Sequence, residues 1–303
     1  MKVKNLFLFG AGASHGCKGV NKVIPLGNNL FNKLRSEFPK TWGNLSNSLR
    51  SIFESNFEYG MGKVWDDLNY NENIPYLMKD MAVYFSRFRV IKIKQNLYYC
   101  LFKEIQKANI LSETILSTIN YDCLIELALE SLNLRYSYNN QDIIKSDTVN
   151  FFKIHGSCNY IPDSEVIKAK SKGVIYKPGT TFNPPLKYLS LNKVEEYCYS
   201  DTALYPAMAI YMRGKPIQIG YDTISRIQGN WQSKVKEAKK VFIIGIKPNL
   251  EDNHIWDYIH KKDKIFFCGS RSNFREWQNK MNREDVFLSN TFERLISNIT
   301  KYF

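Results

Sequence analysis

The stretch KNLFLFGAGASHG, residues 4 to 16, is an apolar run that breaks into Gly-Ala-Gly-Ala-Ser within ten residues of the start. A short apolar run that stops at glycine reads as a buried strand, here over residues 3 to 9. Gly10 and Gly12 allow a tight turn and a close approach of backbone to a pyrophosphate, with N–H groups and a following helix end facing the anion. A plain strand-to-loop turn explains the same glycines. The dehydrogenase form of the glycine fingerprint fits poorly, because its third glycine falls on His15 and no Asp or Glu between Gly10 and Glu37 is available to hold an adenosine ribose.

Beyond a loop containing VIPLG (23 to 27), the segment NNLFNKLRSEF places Leu30, Phe31, Leu34 and Phe38 on one helical face. The pattern stays helical to about residue 110, so residues 29 to 110 are expected to form a helical insertion lobe. Strand character returns at ETILSTI (113 to 119), runs into Asn120-Tyr121-Asp122 and is followed by a helix, CLIELALESLN. VNFFKI (149 to 154) is again a strand, ending in His155-Gly156-Ser157. Residues 158 to 205 lack clear periodicity and read as a loop-rich insertion. The last third alternates: helix WQSKVKEAKK, strand VFIIGI, helix DNHIWDYIHKK, strand KIFFC, then two terminal helices. Strands that alternate with helices and are apolar throughout predict an α/β fold, a Rossmann-like parallel sheet with helices on both faces, in a single domain over residues 1 to 303. Ligands in such sheets sit at the carboxyl ends of the strands, where three polar clusters fall: Gly10 to Ser14, Asn120 to Asp122, and His155 to Ser157.

The chain has 303 residues, 44% of them hydrophobic, enough to bury one substantial core. Its net charge of +13 suits an anionic partner: a nucleotide, a nucleic acid or an acidic protein surface. The basic residues are dispersed among acids with no long basic run, so direct nucleic-acid binding is not favoured. Apolar runs stop far short of the roughly 20 residues that span a bilayer, and LFLF is too short for the apolar region of a signal peptide. The six cysteines (17, 100, 123, 158, 198 and 268) form no Cys-x-x-Cys pair, which speaks against a zinc module and fits free thiols in a reducing cytoplasm.

At single residues, bland and functional readings compete. Asp122 is placed to start the helix that follows it, and Asn120 suits a turn. Alternatively, a carboxamide and a carboxylate at a strand end hydrogen-bond a ligand's amide and sugar hydroxyls. His155 stands at the end of an apolar strand before two small residues, where an imidazole can serve as a general base near neutral pH. His15, His254 and His260 have weaker claims.

Together, FGAGAS, TINYD and KIHGS, in that order and each at a strand end, resemble the three signature segments of the sirtuin-type NAD-binding fold in its bacterial sirtuin-like NADase branch. FIIGIKPNLEDNHIWDYI is similar to the family's glycine-plus-later-aspartate segment, with Gly245 and Asp252 at the matching places, and VIPLG resembles the stretch after the glycine loop. Residues 29 to 110 and 158 to 230 match no motif. The chain departs from the protein deacylases in lacking their two Cys-x-x-Cys zinc pairs, and in carrying Ile119 for a glutamine and Tyr121 for an isoleucine.

The resemblance implies NAD+ as the substrate, with cleavage of the nicotinamide–ribose bond to nicotinamide and ADP-ribose and no metal. It implies that Gly10, Ala11, Gly12, Ala13 and Ser14 hold phosphates and ribose, with Gly245 and Asp252 also on the NAD+ side. It assigns Asp122 to the carboxamide, Asn120 to the ribose or attacking water, and His155 to the proton. It further implies an antiphage effector acting by abortive infection, a homo-oligomer, and a defence-system partner such as a DNA-translocase ATPase, a short Argonaute or a phage trigger. A deacylase or ADP-ribosyltransferase on the same fold is the runner-up; a non-catalytic NAD or ADP-ribose sensor is the third reading.

Overall fold

The computed structural model describes residues 3–67, 71–138, 148–163, 181–200 and 204–303. The opening run forms β1 (Asn5–Phe9), and all five of its residues are buried. Successive strand residues point to opposite faces, so a fully buried strand is covered on both. A short helix α1 (Ala11–His15) follows at once. Next come α2 (Gly27–Glu37), α3 (Asn47–Ser55), α4 (Phe57–Asp66), α5 (Ile74–Ser86) and α6 (Leu97–Lys107). The polar side chains of Ser46, Asn56 and Asn96 accept from backbone N–H groups at the starts of α3, α4 and α6, groups that otherwise lack a partner inside the helix. An aromatic cluster of Phe31, Trp42, Phe53 and Phe57 fills the space between α2, α3 and α4.

The chain then runs through β2 (Thr114–Thr118), α7 (Leu124–Ser131), β3 (Arg135–Tyr138), β4 (Thr148–Lys153), β5 (Tyr160–Pro162), β6 (Leu186–Tyr188) and α8 (Leu191–Tyr199). It closes with α9 (Tyr221–Glu237), β7 (Lys240–Ile244), α10 (Asn253–Ile259), β8 (Ile265–Cys268), α11 (Arg271–Met281), β9 (Val286–Ser289) and α12 (Phe292–Ile296). Seven strands pair in parallel in the order β3-β4-β2-β1-β7-β8-β9, the α/β architecture that the alternation of strands and helices predicts. Phe7, Phe242 and Phe266 lie opposite one another on β1, β7 and β8, and their rings stack at 4.5 and 4.8 Å.

Three local readings need correcting. The region after β8 holds not only helices but also β9, a short edge strand too brief and too exposed for its apolar residues to declare it. The edge strand β3, with the sequence RYSY, likewise lacks an apolar run. Residues 158 to 205 include the antiparallel pair β5–β6 and helix α8, which packs on α5; residues 164–180 and 201–203 of that insertion lie outside the described residues.

The strand order reverses at β1. The chain leaves β1 toward β2 on one side and later returns to β7 on the other, the arrangement that opens a crevice at the carboxyl ends. Here the two loops touch backbone to backbone: the Gly12 N–H donates to the Gly245 carbonyl at 2.8 Å and the Gly10 N–H to that of Ile244 at 3.0 Å. A Cβ on Gly245, whose φ is +67°, would lie 2.0 Å from the Ala13 nitrogen, and one on Gly12 would lie 2.8 Å from the Gly245 oxygen. Gly245→Ala is therefore expected to destabilise the fold by about 3 kcal/mol or more, whereas Gly229→Ala, inside α9 with open space around it, should stabilise it by about 0.5–1 kcal/mol. Chemical denaturation of the two variants checks the contrast.

Candidate active site

Four strand ends supply the site: β1, β2, β4 and β7. On β2, Thr118 accepts from the Asn120 N–H at 3.0 Å, while the Asn120 side chain turns back toward β1. Its Nδ2 donates to the Gly10 carbonyl at 3.0 Å and to Ser14 Oγ at 2.9 Å. Both amide hydrogens are thereby used. The acceptor Oδ1 is the half of the carboxamide left for a ligand. Ser14 Oγ also lies 2.9 Å from the hydroxyl of Tyr98, which α6 brings in from the helical lobe.

Asp122 is buried and accepts the Leu124 N–H at 3.1 Å, the helix-starting role that its position suggests. Burial pushes its carboxyl above the usual carboxylate range, against the pull of the Lys153 ammonium and the Leu124 and Ser14 hydrogen bonds. Lys153, fully buried at the end of β4, binds Glu126 at 2.9 Å and donates to the Asp122 carbonyl. This pair clamps the turn that carries Asn120 and Asp122. Tyr138 donates to the same Glu126 oxygen at 3.0 Å, and the other oxygen, Oε2, has no hydrogen-bond partner among the described residues.

His155 follows β4 and is buried. The next residue, Gly156, has φ +77°, and a Cβ there would meet the Ala207 carbonyl at 2.0 Å, because residues 207–209 lie directly on this loop. Ala209 donates to the His155 carbonyl at 2.8 Å, and Ser157 to that of Ala207 at 3.1 Å. His254 at the start of α10 places its Nε2 2.9 Å from His155 Nε2. Burial drives both imidazoles below their ordinary value, helped for His155 by His254 and for both by the Lys215 cation; His254 falls to about 4.

Lys215 is itself buried, pairs with Glu58 of α4 and stands 3.8 Å from Asp252 Oδ1. That oxygen is buried without a hydrogen-bond partner among the described residues, and burial raises the Asp252 carboxyl to about 6 against the pull of Lys215.

The structure thus gathers the expected residues into two linked groups. Gly10, Gly12, Ser14, Asn120 and Gly245 form one hydrogen-bonded knot, in which Ala13 is buried and Ala11 exposed. His155 and Asp252 belong to the other, with His254 and Lys215. Asp122 sits beneath the first group. The glycines owe part of their necessity to each other, since the Gly12 N–H is already engaged by Gly245 rather than free for a phosphate. Sequence reasoning undervalued His254 and missed Lys215 and Tyr98. The available signal for His254 was its place two residues after Asp252 on a strand-end loop; Lys215 lies in a segment without a motif. His15 and His260 bond locally, to the carbonyls of Ile24 and Trp256.

The family described as SIR2-like domain matches residues 114–193. That segment is similar to a sirtuin-type domain. The SIR2-like match runs from β2 into α8 and contains Asn120, Asp122 and His155, while the glycine loop and the Gly245–Asp252 segment lie outside it. A SIR2-like domain is consistent with NAD-related chemistry. No curated protein matches the chain. Among the described residues, no group of three or more His, Cys, Asp or Glu side chains is placed to hold a metal ion, and no helix is long and apolar enough to cross a membrane.

Two predictions follow the electrostatics. Lys153→Met strands the Glu126 carboxylate in the interior and should cost about 3–5 kcal/mol; combining it with Glu126→Leu removes the stranded charge and should cost less, as chemical denaturation of the two variants will reveal. The depressed histidines act on stability in the window from about pH 6.5, where an unfolded imidazole titrates, down to about 4 for His254. There the unfolded chain binds more protons than the native one, so the histidines make stability fall as pH falls. Asp252, with its raised value, pulls the opposite way below about 6. Comparing His254→Gln with wild type isolates the histidine contribution: the variant should lose less stability between pH 6.5 and 4 in parallel denaturation curves.

Proposed function

We propose that this chain is an NAD+ glycohydrolase that splits the nicotinamide–ribose bond with water as the acceptor. The observation that carries the reading is the Asn120 carboxamide, locked through both amide hydrogens so that Oδ1 is presented as an acceptor at the end of β2, beside β4, which His155 follows. An acceptor of this kind orients a ribose hydroxyl or a water, and a neutral imidazole takes its proton. As the glycosidic bond breaks, its electron pair leaves with nicotinamide; water adds to the ribosyl carbon and gives up a proton to His155, yielding ADP-ribose.

The fit to the nucleotide has a second support in Asp252 Oδ1, a buried acceptor without a hydrogen-bond partner among the described residues, 3.8 Å from the buried Lys215 cation. On this reading Asp122, beneath the Asn120 turn, faces the carboxamide end, and the Gly10–Ser14 loop, Gly245 and Asp252 lie along the rest of the dinucleotide. The SIR2-like match over the segment bearing Asn120, Asp122 and His155 supports NAD+ as the molecule handled. By resemblance alone, the activity would serve an antiviral effector that assembles with itself and with a defence-system partner.

Positioned proton transfer contributes roughly 10² to 10⁴ in rate. His155→Ala and Asn120→Ala are each expected to lose nearly all NAD+ cleavage, by at least a hundredfold, while keeping the wild-type circular dichroism spectrum. The assay is NAD+ with no peptide or other acceptor, following nicotinamide and ADP-ribose. Release of both products without an acceptor favours the hydrolase over a deacylase or ribosyltransferase; wild-type rates in either variant would sink the assignment. For the cellular role, NAD+ levels after phage challenge are compared in cells carrying the full gene neighbourhood with wild type or His155→Ala.

A further inference from the structure

We propose that His254 is a positioning residue that caps the base of this site: its Nε2–H donates to the Nε2 lone pair of His155, and a reacting hydroxyl or water reaches that lone pair only when the His254 ring turns away. The proposal rests on the assignment of His155 as base in the preceding reading.

A neutral imidazole carries one N–H and one lone pair, so two imidazole nitrogens 2.9 Å apart need one hydrogen between them. The ring centroids are 5.1 Å apart with the planes inclined at 50°, which points nitrogen at nitrogen rather than stacking the rings. The backbone of Ile119 acts on the His155 ring in the sense that favours its protonated form, as a carbonyl acceptor does. A carbonyl only accepts, so the His155 proton lies on Nδ1 and its lone pair on Nε2. The hydrogen of the pair therefore belongs to His254.

A shared extra proton is disfavoured by surroundings. Lys215 is the cation facing both rings, and the burial of His155 adds to the penalty. Both rings are then neutral, and both nitrogens of His155 are engaged. Nothing is left on it to receive a proton from a substrate. His254 is free to change this, because its side chain is only partly buried while its backbone is held: Gln232 Nε2 donates to the His254 carbonyl at 3.0 Å. Rotation of one ring opens the base without disturbing the helix.

The test combines nitrogen NMR of the histidine rings with NAD+ cleavage by the full chain. In wild type the His155 ring should be the Nδ1–H tautomer with Nε2 accepting a hydrogen bond, and in His254→Phe the Nε2 resonance should move to that of a free lone pair. Turnover should rise about fivefold in His254→Ala and His254→Phe, the population change that release of an ordinary neutral hydrogen bond brings. His254→Gln, which keeps an N–H donor, should stay well below His254→Phe. A wild-type spectrum with the proton on His155 Nε2 overturns the cap, and it does so even if a variant fails to fold. Turnover at or below wild type in both His254→Ala and His254→Phe overturns it as well. If no form of the chain cleaves NAD+ while the spectra show the capped pair and its release, the hydrolase reading fails and the histidine contact stands.

Discussion

Two loop backbones in direct contact, the one after β1 and the one after β7, fix the geometry on which the site depends. At a reversal of strand order the loops normally part and leave room for a ligand. Here Gly10, Gly12 and Gly245 close the base of that gap by hydrogen bonds between main chains, so the candidate site residues stand above a floor of glycine backbone. Asn120 reaches down to this floor through the Gly10 carbonyl, and Ser14 rises from it. The carboxamide is thus oriented by the same contact that joins the two halves of the sheet.

The second constraint is the burial of charge. Lys153 and Glu126 hold the turn between β2 and α7 from beneath, and Lys215 ties Glu58 of the helical lobe to the loop that carries Asp252. Ions taken out of water are costly unless paired, so each forces its neighbours into register. The helical insertion consequently takes part in the site at two points, through Tyr98 on Ser14 and Glu58 on Lys215.

Much of this was legible in the sequence where the signal was local. Four successive apolar residues in β1, Leu6 to Phe9, announced a strand covered on both faces, and the polar residues after β1, β2 and β4 stood where an α/β sheet keeps its ligands. The short edge strands were not legible, because RYSY carries no apolar run and the three apolar residues of VFLS are too few and too exposed to mark a strand. Pairing across long separations was also hidden. His155 and His254 are 99 residues apart, and nothing in either neighbourhood states which nitrogen meets which. Lys215 reads as one of many surface cations until the fold buries it. Asn120 was readable as a strand-end amide, but the direction of its amide required the positions of Gly10 and Ser14.

The parallel pairing of β1 has a consequence for the order in which the molecule is assembled. Its two neighbours are β2, beginning at Thr114, and β7, beginning at Lys240, so the chain must close one loop of over a hundred residues and another of over two hundred before its central strand is enclosed. Non-local pairings of this kind are slow to form, and an apolar strand awaiting its partners is exposed to association with other chains. The segment NLFLF emerges from the ribosome before any other described strand, yet its second edge stays open until four-fifths of the chain has followed. The helical lobe, built from local contacts, is able to fold in that interval and offer α6 as a first cover. The strand at the centre of the sheet is made first and waits longest for its second neighbour.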